Sequence, residues 1–253
     1  MEQVSFRKME DGTREEYLLL QRLEKPHHAG VARRVLRELA QQGEESLDGY
    51  LISRLEHALQ SATRAYREGA DEDWVVSALV HDIGDGLAPQ NHDRFAAEML
   101  RPFVREECTW VVEHHGAFQM IYYAQHYGWD PLEREKYRDS PYFQSCVDFC
   151  ARWDQTSFDP DYNSEPLGFF APMVERVFSR KAYDPAVIRE GVVVGLPGEA
   201  SAEKPISPAS PGRGSRRWGS PPCGCSRTPA RLSCRRPATW SAWRCHGSGW
   251  SGR

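Results

Sequence analysis

The sequence predicts an all-α domain, and three of its features support that prediction. Apolar residues recur at the three- and four-residue spacing of helices along residues 14–179. Alternating apolar and polar residues, which mark half-buried strands, are almost absent. Gly, Pro and Asp residues separate the apolar stretches into segments of ordinary helix length. A helical bundle is therefore the expected architecture.

The individual helices follow from these breaks. A helix over residues 73–83 is apolar almost all round, so we expect it to be the buried centre of the bundle, with Asp71 as its cap. Pro26 and Gly116 are expected to separate helices. The other predicted helices cover residues 14–24, 27–42, 50–68, 92–103, 106–115 and 168–179, with a further one after Pro141 that carries Asp154.

Charge is distributed unevenly along the chain. The 253 residues carry a formal net charge of −4, but residues 201–253 hold ten Lys or Arg residues and one acid, Glu203. The preceding part is acidic and offers no basic face of the kind that binds nucleic acid. No apolar stretch reaches the length of a membrane span, and the first twenty residues lack the pattern of a signal peptide. We therefore expect a cytoplasmic protein that binds neither nucleic acid nor membranes.

Residues 195–253 differ in composition from the rest of the chain, with many Pro, Gly, Ser, Arg, Trp and Cys residues and no helical period. They form a disordered basic tail or a stretch read from a shifted frame, and their four Trp and four Cys residues favour the second interpretation. Ahead of this tail we expect N-terminal helices over residues 1–49 that pack on a main domain over residues 50–194. Irregular spacing argues against a zinc site at Cys223, Cys225, Cys234, Cys245 and His246.

The pair His81-Asp82 ends the most apolar helix of the chain. A buried His and Asp without partners would cost several kcal/mol, whereas coordination to a metal ion satisfies both. Four more residues that can ligate a metal lie near helix ends or within apolar helices. They are His57, His92, one of the pair His114-His115, and Asp154.

Six such ligands exceed the three or four that one metal ion with room for substrate needs. They fit two ions that share a carboxylate, and Asp82 is the expected bridge because His81 beside it would bind one ion. We also expect Asp82 to take part in catalysis. Imidazole together with carboxylate suits iron, manganese or zinc and argues against calcium or magnesium.

The order His57, His81-Asp82, His92, His114-His115 and Asp154 resembles the HD-domain superfamily, all-helical metal proteins named for this dipeptide. The run from residue 55 to residue 84 is similar to the mixed-valent diiron oxygenases that cleave aminohydroxyethylphosphonate, and more distantly to myo-inositol oxygenase. In those families six ligands of this order hold two irons that activate dioxygen. The resemblance implies an HD metal-binding domain over residues 50–194, with iron ligands at His57, His81, Asp82, His92, His115 and Asp154. His115 is preferred to His114 because it directly precedes the expected turn at Gly116.

The sequence departs from the phosphonate oxygenases at positions that resemble their substrate contacts. Leu47 and Tyr50 stand where those enzymes have Tyr and Glu, Gln119 stands in place of a cation, and Asp85 replaces a basic residue. An acid and an amide would not offset the charge of a phosphonate, so a neutral or amine-bearing substrate is expected. The residues predicted to contact it are Tyr50, Asp85, His114 and Gln119.

Three functions are compatible with this pattern. The first, which we favour, is a dinuclear iron oxygenase that oxidises a small organic substrate with dioxygen. The second is hydrolysis of a phosphate ester or nucleotide, in which the metals would generate hydroxide. That reaction needs cations aimed at phosphate, for which the candidates are Arg54, Arg64, Lys136 and Arg152. The third is a metal or ligand sensor without catalysis.

Overall fold

The computed structural model of the chain describes residues 2–44 and 49–198. Within these ranges the regular elements are all helical and no strand is present, which confirms the predicted all-α fold. Short 3-10 helices occur at Met9–Asp11 and Glu133–Tyr137, and a π-helical stretch at Cys150–Asp154. The α-helices are α1 (Arg14–Ala29), α2 (Val31–Gln42), α3 (Arg54–Arg67), α4 (Glu72–Val80), α5 (His92–Leu100), α6 (Glu106–Tyr127), α7 (Phe143–Phe149), α8 (Leu167–Phe178) and α9 (Pro185–Ile188).

Helix α4 is buried at the centre of the bundle, as its apolar sequence predicts. Every residue from Asp73 to Val80 is buried, and α4 packs against α3, α6 and α8. Asp71 fixes its start, because Oδ1 of this residue accepts a hydrogen bond from the Trp74 backbone N–H at 3.2 Å. The far end of α4 therefore delivers His81 and the residue after it to the interior.

Helix α6 is longer than the sequence predicts. The expected end at Gly116 is wrong, because the helix continues to Gly128, which has a φ of 72°. Gly116 keeps a helical backbone, and a Cβ at this position would meet Asp93 Oδ2 at 3.6 Å, an ordinary contact. A glycine inside a helix costs about 1 kcal/mol relative to alanine. Burial of residues that follow it, such as Phe118, offsets this cost.

The first two helices differ in how they pack. Helix α2 contributes Val35 and Leu39 to the main core and packs against α8, whereas α1 has no buried residue. The predicted break at Pro26 is wrong, because α1 continues past this residue to Ala29. The proline removes one backbone hydrogen bond of the helix but does not end it. The break lies at Gly30.

Helix α3 begins at Arg54, later than the predicted start near Tyr50. Ser53 Oγ accepts a hydrogen bond from the Glu56 backbone N–H at 3.2 Å, and the Glu56 carboxylate accepts one from the Ser53 N–H at 2.6 Å. This reciprocal pair is a capping box, a signal that the sequence does contain. Residues 49–53 ahead of it are irregular and contribute to the cavity described below.

Residues 191–198 bond to the helical body. The fully buried Glu107 carboxylate accepts hydrogen bonds from the backbone N–H groups of Val194 and Gly195, both at 2.9 Å, and Trp74 Nε1 donates to the Gly195 carbonyl at 2.9 Å. Residues 195–198 were predicted to lie in the tail, but they contact the body. The reason is that the buried side chains of Glu107 and Trp74 need hydrogen-bond partners, which this backbone supplies. The rest of the tail, with its Cys and His residues, and Leu47 lie outside the described residues.

None of the helices in residues 2–44 and 49–198 combines the length and hydrophobicity that a membrane crossing requires. The cytoplasmic location stays a prediction.

Candidate metal centre

Six side chains from five parts of the fold meet inside the bundle. His81 and Asp82 follow the end of α4 directly. They meet His57 of α3, His92 at the start of α5, His115 of α6 and Asp154 at the end of the π-helical stretch. A π-helical turn is rare and often lies at a functional site. These are the six residues that the sequence predicts as metal ligands, and their ligand role stays a prediction.

Asp82 lies between two pairs of histidines. Its Oδ1 is 3.1 Å from His115 Nε2 and 3.2 Å from His92 Nε2. Its Oδ2 is 3.4 Å from His57 Nε2 and 3.5 Å from His81 Nε2. Each carboxylate oxygen therefore faces a different pair, which is the arrangement a bridging ligand requires.

Asp154 completes one of the two pairs. Its Oδ1 lies 3.4 Å from His57 Nε2 and 3.6 Å from His81 Nε2. Its Oδ2 is buried and has no hydrogen-bond partner among the described residues. A buried carboxylate oxygen without a partner is costly, so this atom indicates a ligand that the protein itself does not supply.

Backbone carbonyls orient all four imidazoles. Because a carbonyl oxygen only accepts, each Nδ1 carries a proton and donates it, so that Nε2 faces the centre and offers its lone pair to a metal ion once its own proton is lost. Three of the carbonyls lie three residues earlier in the same chain segment as the histidine, and one lies a hundred residues away. The acceptors and distances are Ser157 O for His57 (2.8 Å), Ala78 O for His81 (2.8 Å), Pro89 O for His92 (3.3 Å) and Val112 O for His115 (2.7 Å).

These donors fit a metal ion. Nε2 of His57 and Nε2 of His81 are 3.1 Å apart, a distance at which the two nitrogens share either a proton or a metal ion. Groups of three ligand atoms within 4.8 Å of one another occur at His57, His81 and Asp154 and at His81, Asp82 and His115. A set of imidazoles and carboxylates suits iron, manganese or zinc.

The electrostatics also favour bound positive charge. Burial lowers the pKa of His57, but the carboxylates of Asp154 and Asp82 outweigh burial and raise the pKa to about 10. Against the same opposing burial, Asp82 raises the pKa of His92 to about 9 and also raises the pKa of His115. Burial opposes the ionisation of Asp82 and Asp154, yet the charge of the histidines holds the pKa of both carboxyls below the usual range. Positive charge is therefore favoured at the centre, either as protons on the imidazoles or as a metal ion that replaces them.

A cavity of about 130 Å³ opens on this centre. The members of the centre that line it are His57, Asp82 and His92. The other lining residues are Tyr50, Ile52, Ser53, Arg54, Asp85 and Phe158. A substrate would thus approach the centre where His57, Asp82 and His92 line the cavity.

The outer part of the cavity combines aromatic rings with one ion pair. Phe158 stacks on His57 with ring centroids 4.5 Å apart, and the ring of Tyr50 lies 5.6 Å from that of Phe158. Arg54 Nε lies 2.5 Å from Asp85 Oδ2, so the two charges of this pair cancel. Tyr50 and Asp85, both predicted as substrate contacts, do line the cavity.

His114 and Gln119, also predicted as substrate contacts, are not among the residues that line the cavity. The His114 ring stacks on Trp110 at 4.2 Å, its Nδ1 donates to the Trp110 carbonyl at 2.8 Å, and burial lowers its pKa. Neighbouring residues on a helix point about 100° apart, so His114 cannot share the direction of His115. The predicted turn at Gly116 is absent, yet His115 is the member of the pair that reaches Asp82.

Sequence reasoning missed the part that Ser157 and Phe158 play. Ser157 offers the carbonyl that orients His57, and Phe158 covers the ring of His57. The only signal was their position directly after Asp154, in the segment that leaves the centre.

Comparison with known proteins identifies the domain. Residues 54–148 match the family model of the HD domain. The chain contains an HD domain. Over 86 residues, 30% of this chain, it is 34% identical to the [1-hydroxy-2-(trimethylamino)ethyl]phosphonate dioxygenase (glycine-betaine-forming) of Leisingera caerulea. The chain spans 44% of the length of that relative. The predicted superfamily and the similarity to its oxygenases are thereby confirmed.

Proposed function

We propose that this HD-domain protein is a dinuclear iron oxygenase that oxidises a small organic substrate with dioxygen. The observation that carries the proposal is the position of the Asp82 carboxylate, whose two oxygens face two separate pairs of histidines. The similarity to a dioxygenase over the HD domain supports the choice of oxygen chemistry.

The two halves of the centre have different donor sets. His57, His81, Asp154 and Oδ2 of Asp82 would hold one ion, and this half is buried. His92, His115 and Oδ1 of Asp82 would hold the other, with fewer protein ligands. When bound, the two ions would supply the redox chemistry by which dioxygen accepts electrons from the substrate.

The residues of the chain would perform three tasks around that chemistry. The backbone carbonyls keep each Nε2 directed at the centre, so the ligand geometry exists before the ions arrive. Phe158, which stacks on His57, and Tyr50, which lies tilted against Phe158, would cover part of the centre on the cavity side. The small cavity, about 130 Å³, restricts the substrate to a small molecule.

A neutral or amine-bearing substrate fits the cavity better than a substrate that presents a phosphonate to its outer part. The relative acts, by its name, on a phosphonate that carries a trimethylamino group. A cationic group is favoured by aromatic faces such as those of Tyr50 and Phe158. The carboxylate of Asp85 adds to this preference, although Arg54 offsets its charge.

Phosphohydrolysis is the second candidate, because the HD domain by itself does not exclude it. The four cations considered for phosphate all have other contacts. Arg64 donates to the Thr156 carbonyl at 2.8 Å and lies over the Tyr162 ring, and Arg152 and Lys136 pair with Glu68 and Glu133. Arg54 alone among the four lines the cavity, where it pairs with Asp85. These contacts favour oxygenation over hydrolysis, and a sensor role stays the third alternative.

The proposal is tested by metal analysis and reactivity of the full chain after aerobic purification. We expect about two irons per chain, a mixed-valent electron paramagnetic resonance signal, and dioxygen uptake with a panel of small amines. Zinc or manganese together with phosphate release from a nucleotide panel would replace oxygenation by hydrolysis. Bound metal with neither dioxygen uptake nor phosphate release would favour the third alternative, a metal or ligand sensor without catalysis.

Two neighbouring histidines provide a matched control for the same experiment. His115→Ala removes an Nε2 that faces Asp82, so we expect loss of metal and of dioxygen uptake. His114→Ala removes a ring that stacks on Trp110 and should keep both. Equal losses in the two variants would mean that the metal does not depend on the proposed ligand set.

A further inference from the structure

Helix α3 carries a row of polar side chains that contact the segment leaving the metal centre. This segment, residues 153–159, contains Asp154 near its start, and residues 157–159 belong to no helix. The row has the three- and four-residue spacing that places side chains on one face of a helix. Its members are His57, bonded to the Ser157 carbonyl, Gln60, bonded to Asp159, Arg64, bonded to the Thr156 carbonyl, and Glu68, which directly follows the helix and accepts from Trp153 Nε1. One face of α3 therefore holds the segment at several points.

Gln60 holds this segment at its outer end. The side chain is 2% exposed, and its amide makes two hydrogen bonds with the backbone of Asp159. Nε2 donates to the Asp159 carbonyl at 2.8 Å, and the Asp159 N–H donates to Oε1 at 3.2 Å. An amide that donates to and accepts from the same residue restricts both the position and the rotation of that residue's backbone. Residue 159 is thus fixed relative to α3.

The two residues before Asp159 both contact His57. The Ser157 carbonyl accepts a hydrogen bond from His57 Nδ1 at 2.8 Å, and the Phe158 ring stacks on the imidazole with centroids 4.5 Å apart. Phe158 is 42% exposed, so its place over the imidazole depends largely on the backbone to either side of it. On one side that backbone is held by His57 itself, and on the other side by Gln60.

From these contacts we infer that Gln60 is a positioning residue of the metal centre. Its two bonds fix residue 159, and the Ser157 carbonyl and the Phe158 ring thereby stay on His57, whose Nε2 faces the centre. Groups that orient a metal ligand from behind change metal affinity by roughly 10- to 100-fold. The inference rests on the proposed metal centre, but not on the reaction proposed for it.

Release of bound metal from the full chain tests the inference. The protein is purified with the metal that it holds, a chelator is added in excess, and the loss of each ion is followed over time. The ion bound by His57 is the one that Asp154→Ala lacks. Gln60→Met keeps the length of the side chain without either hydrogen bond, and we expect it to lose this ion about tenfold faster than the wild type. Gln60→Asn, whose amide is shorter by one methylene group, should show a smaller change in the same direction.

Another residue of α3 provides a matched control. Thr63 is fully buried, and its Oγ1 accepts a hydrogen bond from the Glu165 N–H at 3.0 Å. Thr63→Val removes a bond from the same helix to the chain beyond residue 159, so we expect it to release metal at the wild-type rate. The Tm of the metal-free variants is measured alongside. A lower Tm in Thr63→Val without faster release would separate positioning of His57 from general stability.

A double variant shows whether Gln60 acts through the contacts on His57. Gln60→Met with Phe158→Leu should lose the ion no faster than Gln60→Met alone, because the two changes disturb the same contact. Accelerations that multiply in the double variant would overturn the inference. An unchanged rate in Gln60→Met, or an equal acceleration in Thr63→Val, would overturn it as well.

Failure of the proposed function would appear separately, as a resident metal other than iron or as phosphate release from nucleotides. Neither result affects the comparison of variants, because release is measured for whichever metal is bound. A wild type that holds no metal would overturn the metal centre and this inference together.

Discussion

The two halves of the metal centre share Asp82 but differ in their exposure to the cavity. In the first half, His57, His81 and Asp154 are 5%, 0% and 3% exposed. In the second half, His115 is 3% exposed but the His92 side chain is 28% exposed. The cavity is lined by His92 and, from the first half, by the buried His57. We call these the closed half and the open half.

This difference indicates a division of labour. A metal site with four protein ligands that are mostly buried resembles a structural site, whereas one with three protein ligands, one of them partly exposed in the cavity wall, keeps positions for substrate. In the closed half, even the unpartnered Oδ2 of Asp154 is buried, so a bound ion would exchange slowly there. The open half is where we expect ion exchange, substrate binding and sensitivity to mutation of the cavity wall.

The largest effect should come from Asp82→Ala, which removes the residue common to both halves. We expect both ions to be lost, with affinity reduced by at least about 100-fold at each half, because one carboxylate serves both. Metal content after dialysis measures this. Asp85→Ala, in the same turn and in the cavity wall, is the control and should keep both ions. Full metal content in Asp82→Ala would disprove the bridge.

The next test separates the halves. His92→Ala should release mainly the ion of the open half, and Asp154→Ala mainly that of the closed half, so each variant should keep about one ion per chain. Metal analysis combined with the spectrum of the remaining ion distinguishes the two. If each variant loses both ions, the halves bind cooperatively and the division between them is wrong.

The pH dependence of metal binding should also differ between the halves. The pKa of His92 is raised to about 9 and that of His57 to about 10, so both imidazoles hold protons at neutral pH. A metal ion must displace these protons in order to bind. Affinity should thus rise about tenfold per pH unit for each displaced proton, and should level off at lower pH for the open half. Competition titrations with a chelator from pH 6 to 10 would measure this. A pH-independent affinity would contradict it.

The same shifts predict the stability of the metal-free chain. The pKa of His92 and that of His57 are raised from 6.5 in the unfolded chain to about 9 and about 10 in the folded chain. Protonation of these residues therefore stabilises the fold fully below pH 6.5, and this stabilisation is lost as pH rises through the two folded pKa values. Thermal unfolding in the presence of chelator should therefore show a Tm that falls between pH 7 and 10. The metal-loaded chain should show a smaller fall over that range.

The smallest effect should come from Phe158→Leu. The Phe158 ring stacks on His57 at 4.5 Å, and such a contact contributes about 0.5–1.5 kcal/mol. We expect the closed half to lose its ion several-fold faster to a chelator, with unchanged metal content at equilibrium. Tyr66→Leu, which removes a similar ring contact with Phe169 away from the centre, is the control. Equal effects would mean that Phe158 does not shield the closed half.

Local signals predicted much of the fold. The apolar sequence of α4 and the cap at Asp71 predicted a buried central helix because both depend on residues within a few positions of each other. The breaks at Pro26 and Gly116 were wrong for the opposite reason. Whether a helix survives an unfavourable residue depends on what the flanking residues pack against, and that is a property of the whole bundle.

The sequence by itself determined five of the candidate ligands, the pair His114-His115 that contains the sixth, and, through the HD pattern, the family of the domain. The orientation of three imidazoles also depends on residues close in sequence, because Nδ1 of His81, His92 and His115 each donates to a carbonyl three residues earlier. Only the tertiary structure decided the contacts between distant segments. These contacts include the Ser157 carbonyl that orients His57, the choice of His115 over His114, and the pairing of Arg54 with Asp85. Each depends on how helices pack side by side, and spacing along the chain does not fix that arrangement.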